Sequence, residues 1–118
     1  MRLSQVKSQL RDQGQLDARE LFSYATAVGT LNGTSFQNLM GAAFTQSQLI
    51  LFSAKTDGSL GDVLLRVPYS ALGQFRQKHR FLYSYTSFTC GSTSLRFYNY
   101  DKKVFLRGFS EAGIGGTV

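Results

Sequence analysis

Arg76, Lys78 and Arg80 occupy alternate positions in one stretch of the chain. A strand there places all three cations on one face, in a row about 13 Å long. Tyr83, Tyr85, Tyr98 and Tyr100 fall in the neighbouring segments. Cations beside aromatic rings hold single-stranded nucleic acid by counterion release and base stacking, and cations alone attract any anionic surface. An ordinary solvated strand face with tyrosines at its edge is the competing reading. A second basic group, Arg96, Lys102, Lys103 and Arg107, lies toward the end of the chain. The candidates for contact with an anion or partner are Arg76, Lys78, Arg80, Lys102, Lys103 and Arg107.

Residues suited to catalysis do not assemble into a set. His79 stands between Lys78 and Arg80, whose charges favour its neutral form, and it reads as a surface histidine. Cys90 is the single cysteine, so an intrachain disulfide and a cysteine-based zinc site are both excluded. It reads as structural filler in a reduced, cytoplasmic compartment. The carboxylates Asp12, Asp17, Glu20, Asp57, Asp62, Asp101 and Glu111 fall mostly at helix or turn positions. Arg107-Gly108-Phe109 has the basic-Gly-aromatic start of an RNA-recognition motif, but Ser110-Glu111-Ala112 lacks the aromatic positions that stack bases. The expectation is a non-enzymatic protein with no catalytic residue, cofactor or metal.

The elements that position these residues are mostly strands. A chain of 118 residues is long enough for one domain with a real core. Ten Phe and six Tyr with a single Pro favour pleated, half-buried segments, and twelve Gly suit many short turns. Leu3, Val6 and Leu10 share a helical spacing, predicting a short amphipathic helix over 3–12 whose narrow stripe suits self-association. Residues 1–14 are therefore set apart from a β domain over 15–110 and a Gly-rich tail over 111–118. From Phe22 the period becomes two, and Asn32-Gly33 is the preferred pair for a type I′ hairpin turn. Leu49-Ile50-Leu51-Phe52 is a run of four apolar residues, which predicts a strand buried on both faces or an edge covered by another element. A turn at Asp57-Gly58, a return strand ended by Pro68, and three further alternating segments near 74–80, 82–90 and 95–100 complete seven short strands. The architecture expected is a mainly β, antiparallel sandwich or partly open barrel. Residues 101–109 suit either a strand or a short helix capped by Asp101, and the helix is preferred.

Two motifs carry a family resemblance. Ala43-Phe44-Thr45-Gln46-Ser47-Gln48-Leu49-Ile50-Leu51-Phe52 resembles the strand–Thr–turn–Leu-Ile-Phe element of bacterial pleckstrin-homology-like and GRAM-type domains. Val67-Pro68-Tyr69-Ser70-Ala71-Leu72 resembles their Ile-Pro-Tyr corner with an apolar residue three positions on. The likeness extends over about residues 20–110, with Gln48 standing where that family often has a basic residue. It implies a seven-stranded fold closed by a C-terminal helix and assigns no function by itself. In eukaryotic lipid-binding members a basic loop between the first two strands holds inositol phosphates; here Gly29-Thr30-Leu31-Asn32-Gly33-Thr34 has no Lys or Arg, so specific phosphoinositide binding is not expected. The function expected is an interaction module that self-associates or docks a protein. The alternative is weak electrostatic binding of anionic membrane or nucleic acid, consistent with a net charge of +6.

Overall fold

The computed structural model describes residues 21–79 and 84–113. The expected helix over 3–12, with Leu3, Val6 and Leu10, lies outside them. So do Arg80, Tyr83 and the tail from 114.

Seven strands follow one another: β1 Leu21–Leu31, β2 Thr34–Phe44, β3 Gln48–Ala54, β4 Leu60–Pro68, β5 Gly73–His79, β6 Ser84–Cys90 and β7 Thr93–Tyr98. Among the described residues one helix, α1, Lys102–Glu111, completes the order. All pairings are antiparallel, and the strands form one sheet in the order β4-β3-β2-β1-β7-β6-β5. The sheet is not closed into a barrel: β4 and β5 are its two edges. The expectation of a mainly β, antiparallel fold with a C-terminal helix holds, in the open form.

Local chemistry explains the connections. Asn32 and Gly33 take φ of 51° and 83°, the two left-handed positions a type I′ turn requires, and Leu31 pairs directly with Thr34. Pro68 ends β4, and a single 3-10 turn, Tyr69–Ala71, makes the corner. The Tyr69 hydroxyl locks that corner by donating to the Thr45 carbonyl at 2.8 Å. Asn99, at φ 56°, breaks the chain after β7. Asp101 then caps α1, its Oδ1 accepting from the Lys103 and Val104 amides at 3.0 and 3.4 Å. Residues 101–109 are therefore not a strand, and α1 continues through Glu111, one residue into the expected tail.

The two faces of the sheet differ. The inner face packs under α1: Phe44 meets Phe105 and Phe109 edge-on, at centroid separations of 5.3 and 5.0 Å. Gly108 makes this approach feasible, since a Cβ there would come within 2.5 Å of the Phe44 ring. Leu49, Leu51, Val67, Phe88, Leu95 and Phe97 join this core. Ile50 and Phe52 point the other way. With Ala43 and Leu60 they form a second buried cluster on the outer face, packed by Phe22, Tyr24 and Ala54. The run Leu49–Phe52 is thus buried on both faces, as its four consecutive apolar residues require.

Candidate anion-binding face

The strand period decides where the basic residues of β5 go. Phe75, Gln77 and His79 point inward; Gln74, Arg76 and Lys78 point outward, and Arg76 and Lys78 are exposed. Register then supplies what the sequence spacing does not show. Arg76 lies opposite Ser87 on β6, Ser87 opposite Arg96 on β7, and Arg96 opposite Val28 on β1. Arg76, Ser87, Arg96 and Val28 therefore form one row across four strands on the outer face. Lys78 sits one pleat further along, opposite Tyr85.

Arg96 is held in place by the tyrosines of its own face. Its guanidinium carbon lies 4.3 Å from the centroid of the Tyr85 ring, a cation–π distance. A hydrogen bond with Tyr98 raises its pKa still further, against a smaller opposing effect of desolvation. Tyr85 and Tyr98 are themselves neighbours, with centroids 6.5 Å apart. Among the described residues no carboxylate forms an ion pair with Arg76, Lys78 or Arg96; Arg107 with Glu111, at 3.4 Å, is on the helix. The described carboxylates, Asp57, Asp62, Asp101 and Glu111, all lie outside β5, β6 and β7.

A cavity of about 250 Å³ opens at this row. Arg76 and Arg96 flank it, Ser87, Thr89 and Ser94 supply hydroxyls, and Phe88 and Leu95 contribute from the buried layer. Two unusual backbone conformations line the same cavity. Gln74 has φ of 47°, beside the register shift between Gly73 and Arg76. Gly29 has φ of 146°, and a Cβ on it would overlap the Ser94 carbonyl oxygen at 2.0 Å. Such departures concentrate where a strand re-aims side chains.

The remaining sequence candidates separate. Lys102, Lys103 and Arg107 are exposed on α1, which covers the inner face, so they do not extend the Arg76–Lys78 row. Tyr100 also departs from the other tyrosines. It stacks on Phe105 at 4.0 Å and joins an inward polar chain. In that chain Gln77 Nε2 donates to Thr86 Oγ1 at 3.2 Å, and Thr86 donates to the Tyr100 hydroxyl at 2.8 Å. The hydroxyl stands 3.1 Å from His79 Nε2. A hydroxyl that has accepted from Thr86 gives its own proton to a bare Nε2, so the chain runs in one direction only with His79 neutral. Burial, then the charge of Lys102, lowers the His79 pKa. Burial raises that of Tyr100, partly offset by the Thr86 hydrogen bond. His79 is thus a half-buried partner of Tyr100 and not the surface histidine expected. Lys78 is not what holds it neutral, because the pleat sends their side chains to opposite faces.

Sequence reasoning placed Arg96 in the basic group that ends on the helix, separate from Arg76. One signal was available: residues 63–100 contain no Asp or Glu, so any surface built from that span carries uncompensated positive charge. No group of His, Cys, Asp and Glu suited to a metal occurs among the described residues, and none of their helices is long and apolar enough to cross a membrane. Comparison with protein-family models, curated proteins and solved structures finds no significant match to this chain.

Proposed function

We propose that this protein is a non-enzymatic docking module on a pleckstrin-homology-like fold, and that it binds an anionic segment of a partner protein on the outer face of β5, β6 and β7. The strand order and the terminal helix support the family reading, together with the Thr45 and Pro68-Tyr69 motifs that meet at the Tyr69–Thr45 hydrogen bond. The observation that carries the docking reading is the row of Arg76 and Arg96 around Ser87, with Lys78 beside it and no described carboxylate paired to any of them. Such a face steers an anionic partner into contact and sets its orientation.

Two alternatives fit less well. Base stacking needs open ring faces, but Tyr85 is only 8% exposed and Arg96 occupies its face; the tyrosines here position a cation. Pairing of two copies through this surface would set the same arginines and lysine against themselves across a two-fold axis. Self-association by Leu3, Val6 and Leu10 is a separate expectation that rests on residues outside those described.

The test is binding of the full chain to a labelled polyglutamate peptide at low salt. Affinity is expected to fall steeply with added salt. Arg76→Glu with Lys78→Glu should abolish it, while Lys102→Glu with Lys103→Glu on the helix should reduce it far less. Equal losses from the two pairs would remove the outer face from the reading. A single-stranded oligonucleotide is the parallel probe: if it binds much more tightly than polyglutamate, the partner is nucleic acid.

A further inference from the structure

Building on the docking reading, we propose that the cavity between Arg76 and Arg96 is a pocket for one tetrahedral oxyanion, a phosphate monoester carried by the docked ligand. The two arginines stand on β5 and β7, on either side of the β6 residue Ser87. Two strand spacings separate their Cα atoms by about 10 Å. Their long side chains rise on both sides of a short hydroxymethyl group, which leaves the space between them open. A guanidinium presents several N–H donors in a planar fork matched to oxyanions, and an arginine on each side of Ser87 can offer a tetrahedral dianion donors from two directions. The hydroxyls of Ser87, Thr89 and Ser94 line the same space and can donate to the remaining oxygens.

Charge alone does not lead to this conclusion. A simple solvated cation row needs no recess, no fixed arginine and no irregular backbone, and all three occur here. Arg96 is pre-positioned by Tyr85 and Tyr98, so little rotamer freedom remains to be lost on binding. Gly29 lets β1 close on the Ser94 carbonyl at the cavity's side, an approach that any Cβ would prevent. Gln74 adopts a left-handed conformation at the register break on the opposite side. At about 250 Å³ the recess accommodates a single phosphorylated group and is far too small for a duplex groove or a bilayer. Gly29 is the one residue of the Gly29–Thr34 segment that lines the cavity, and that segment brings no Lys or Arg to it, so the charge at this recess comes from Arg76 and Arg96.

The experiment is an NMR titration of the full chain at constant ionic strength with inorganic phosphate, free phosphoserine and a phosphoserine peptide, using chloride as the control. Saturable shifts are expected for the Arg76 and Arg96 side-chain N–H groups and for the Ser87 amide. Arg76→Gln and Arg96→Gln should each weaken binding about tenfold or more, while Lys102→Gln should leave it unchanged. Gly29→Ala, checked for retained fold by its spectrum, should also weaken it. Shifts that chloride reproduces, that never saturate, or that map to α1 would overturn the pocket. Stronger binding of the peptide than of free phosphoserine assigns the phosphate to a protein partner; equal binding assigns it to a small phosphorylated metabolite. The two readings can fail independently. Loss of phosphate binding with polyglutamate docking intact rejects only the pocket. Polyglutamate docking that ignores Arg76→Glu with Lys78→Glu rejects the docking face itself.

Discussion

The outer face of the sheet is two surfaces. Over β2, β3 and β4 it carries Ala43, Ile50, Phe52 and Leu60, all buried. Over β5, β6 and β7 it carries Arg76, Lys78 and Arg96, all exposed. The backbone is the same continuous antiparallel ladder in both halves. What differs is the residue type at the outward positions of the pleat. Apolar residues there make the first half a second core, and cations leave the other half exposed and positively charged. β1 joins the two, with Phe22 and Tyr24 packed on the closed half and Val28 in the basic row. One strand thus carries the boundary between the buried and the charged half within a few residues.

The largest effect that tests this contrast is expected from Ile50→Ala. If the closed half is core, the loss should be about 2–5 kcal/mol in chemical denaturation, as at an inward position. A cost near zero would mean that the outer cluster adds nothing and that the halves do not differ energetically. Gly108→Ala tests the inner layer both halves share. Helix propensity alone favours alanine by about 1 kcal/mol. The Phe44 ring, which would lie 2.5 Å from the new methyl, is fully buried and has no room to retreat. Steric overlap should therefore win, with a net destabilisation of about 1–3 kcal/mol.

A smaller effect concerns the inward side of the open half. Because burial lowers the His79 pKa in the fold, the unfolded chain binds more protons between the folded value and the ordinary 6.5. Stability from this group is then complete above pH 6.5. It is lost as the pH falls from there toward the folded pKa. Melting temperatures recorded across this range should decline for the native sequence and flatten for His79→Gln. An unchanged pH slope would show that His79 titrates alike in both states. The smallest effect belongs to the basic row: Arg76→Gln and Lys78→Gln should each change stability by no more than about 0.5 kcal/mol while impairing docking. A larger change would give these cations a structural role and blur the distinction between the halves.

Much of the framework is legible residue by residue because its causes are local. Asn32-Gly33 announces its turn through two positive-φ positions, and Asp101 announces the helix through a side chain that reaches amides two and three residues on. Four apolar residues in a row at 49–52 require cover on both faces whatever the fold. The candidate site was legible only in part. Arg76 and Lys78 share a face by the period of one strand, so their alternation suffices. Arg96 stands twenty positions from Arg76 and joins it through the registers of β5 with β6 and β6 with β7. A one-residue slip in either pairing would send its side chain inward.

His79 marks the other limit. Its sequence neighbours are cations, yet the pleat turns it from Lys78 toward Tyr100, twenty-one residues away. The sequence by itself determined the strands, the turns, the helix cap and the excess of positive charge between residues 63 and 100, because period, propensity and composition act over a few residues. Only the tertiary structure decided which outward face closed, which cations became neighbours and where a cavity opened between them. Those outcomes depend on inter-strand register, which brings together residues that no local spacing relates.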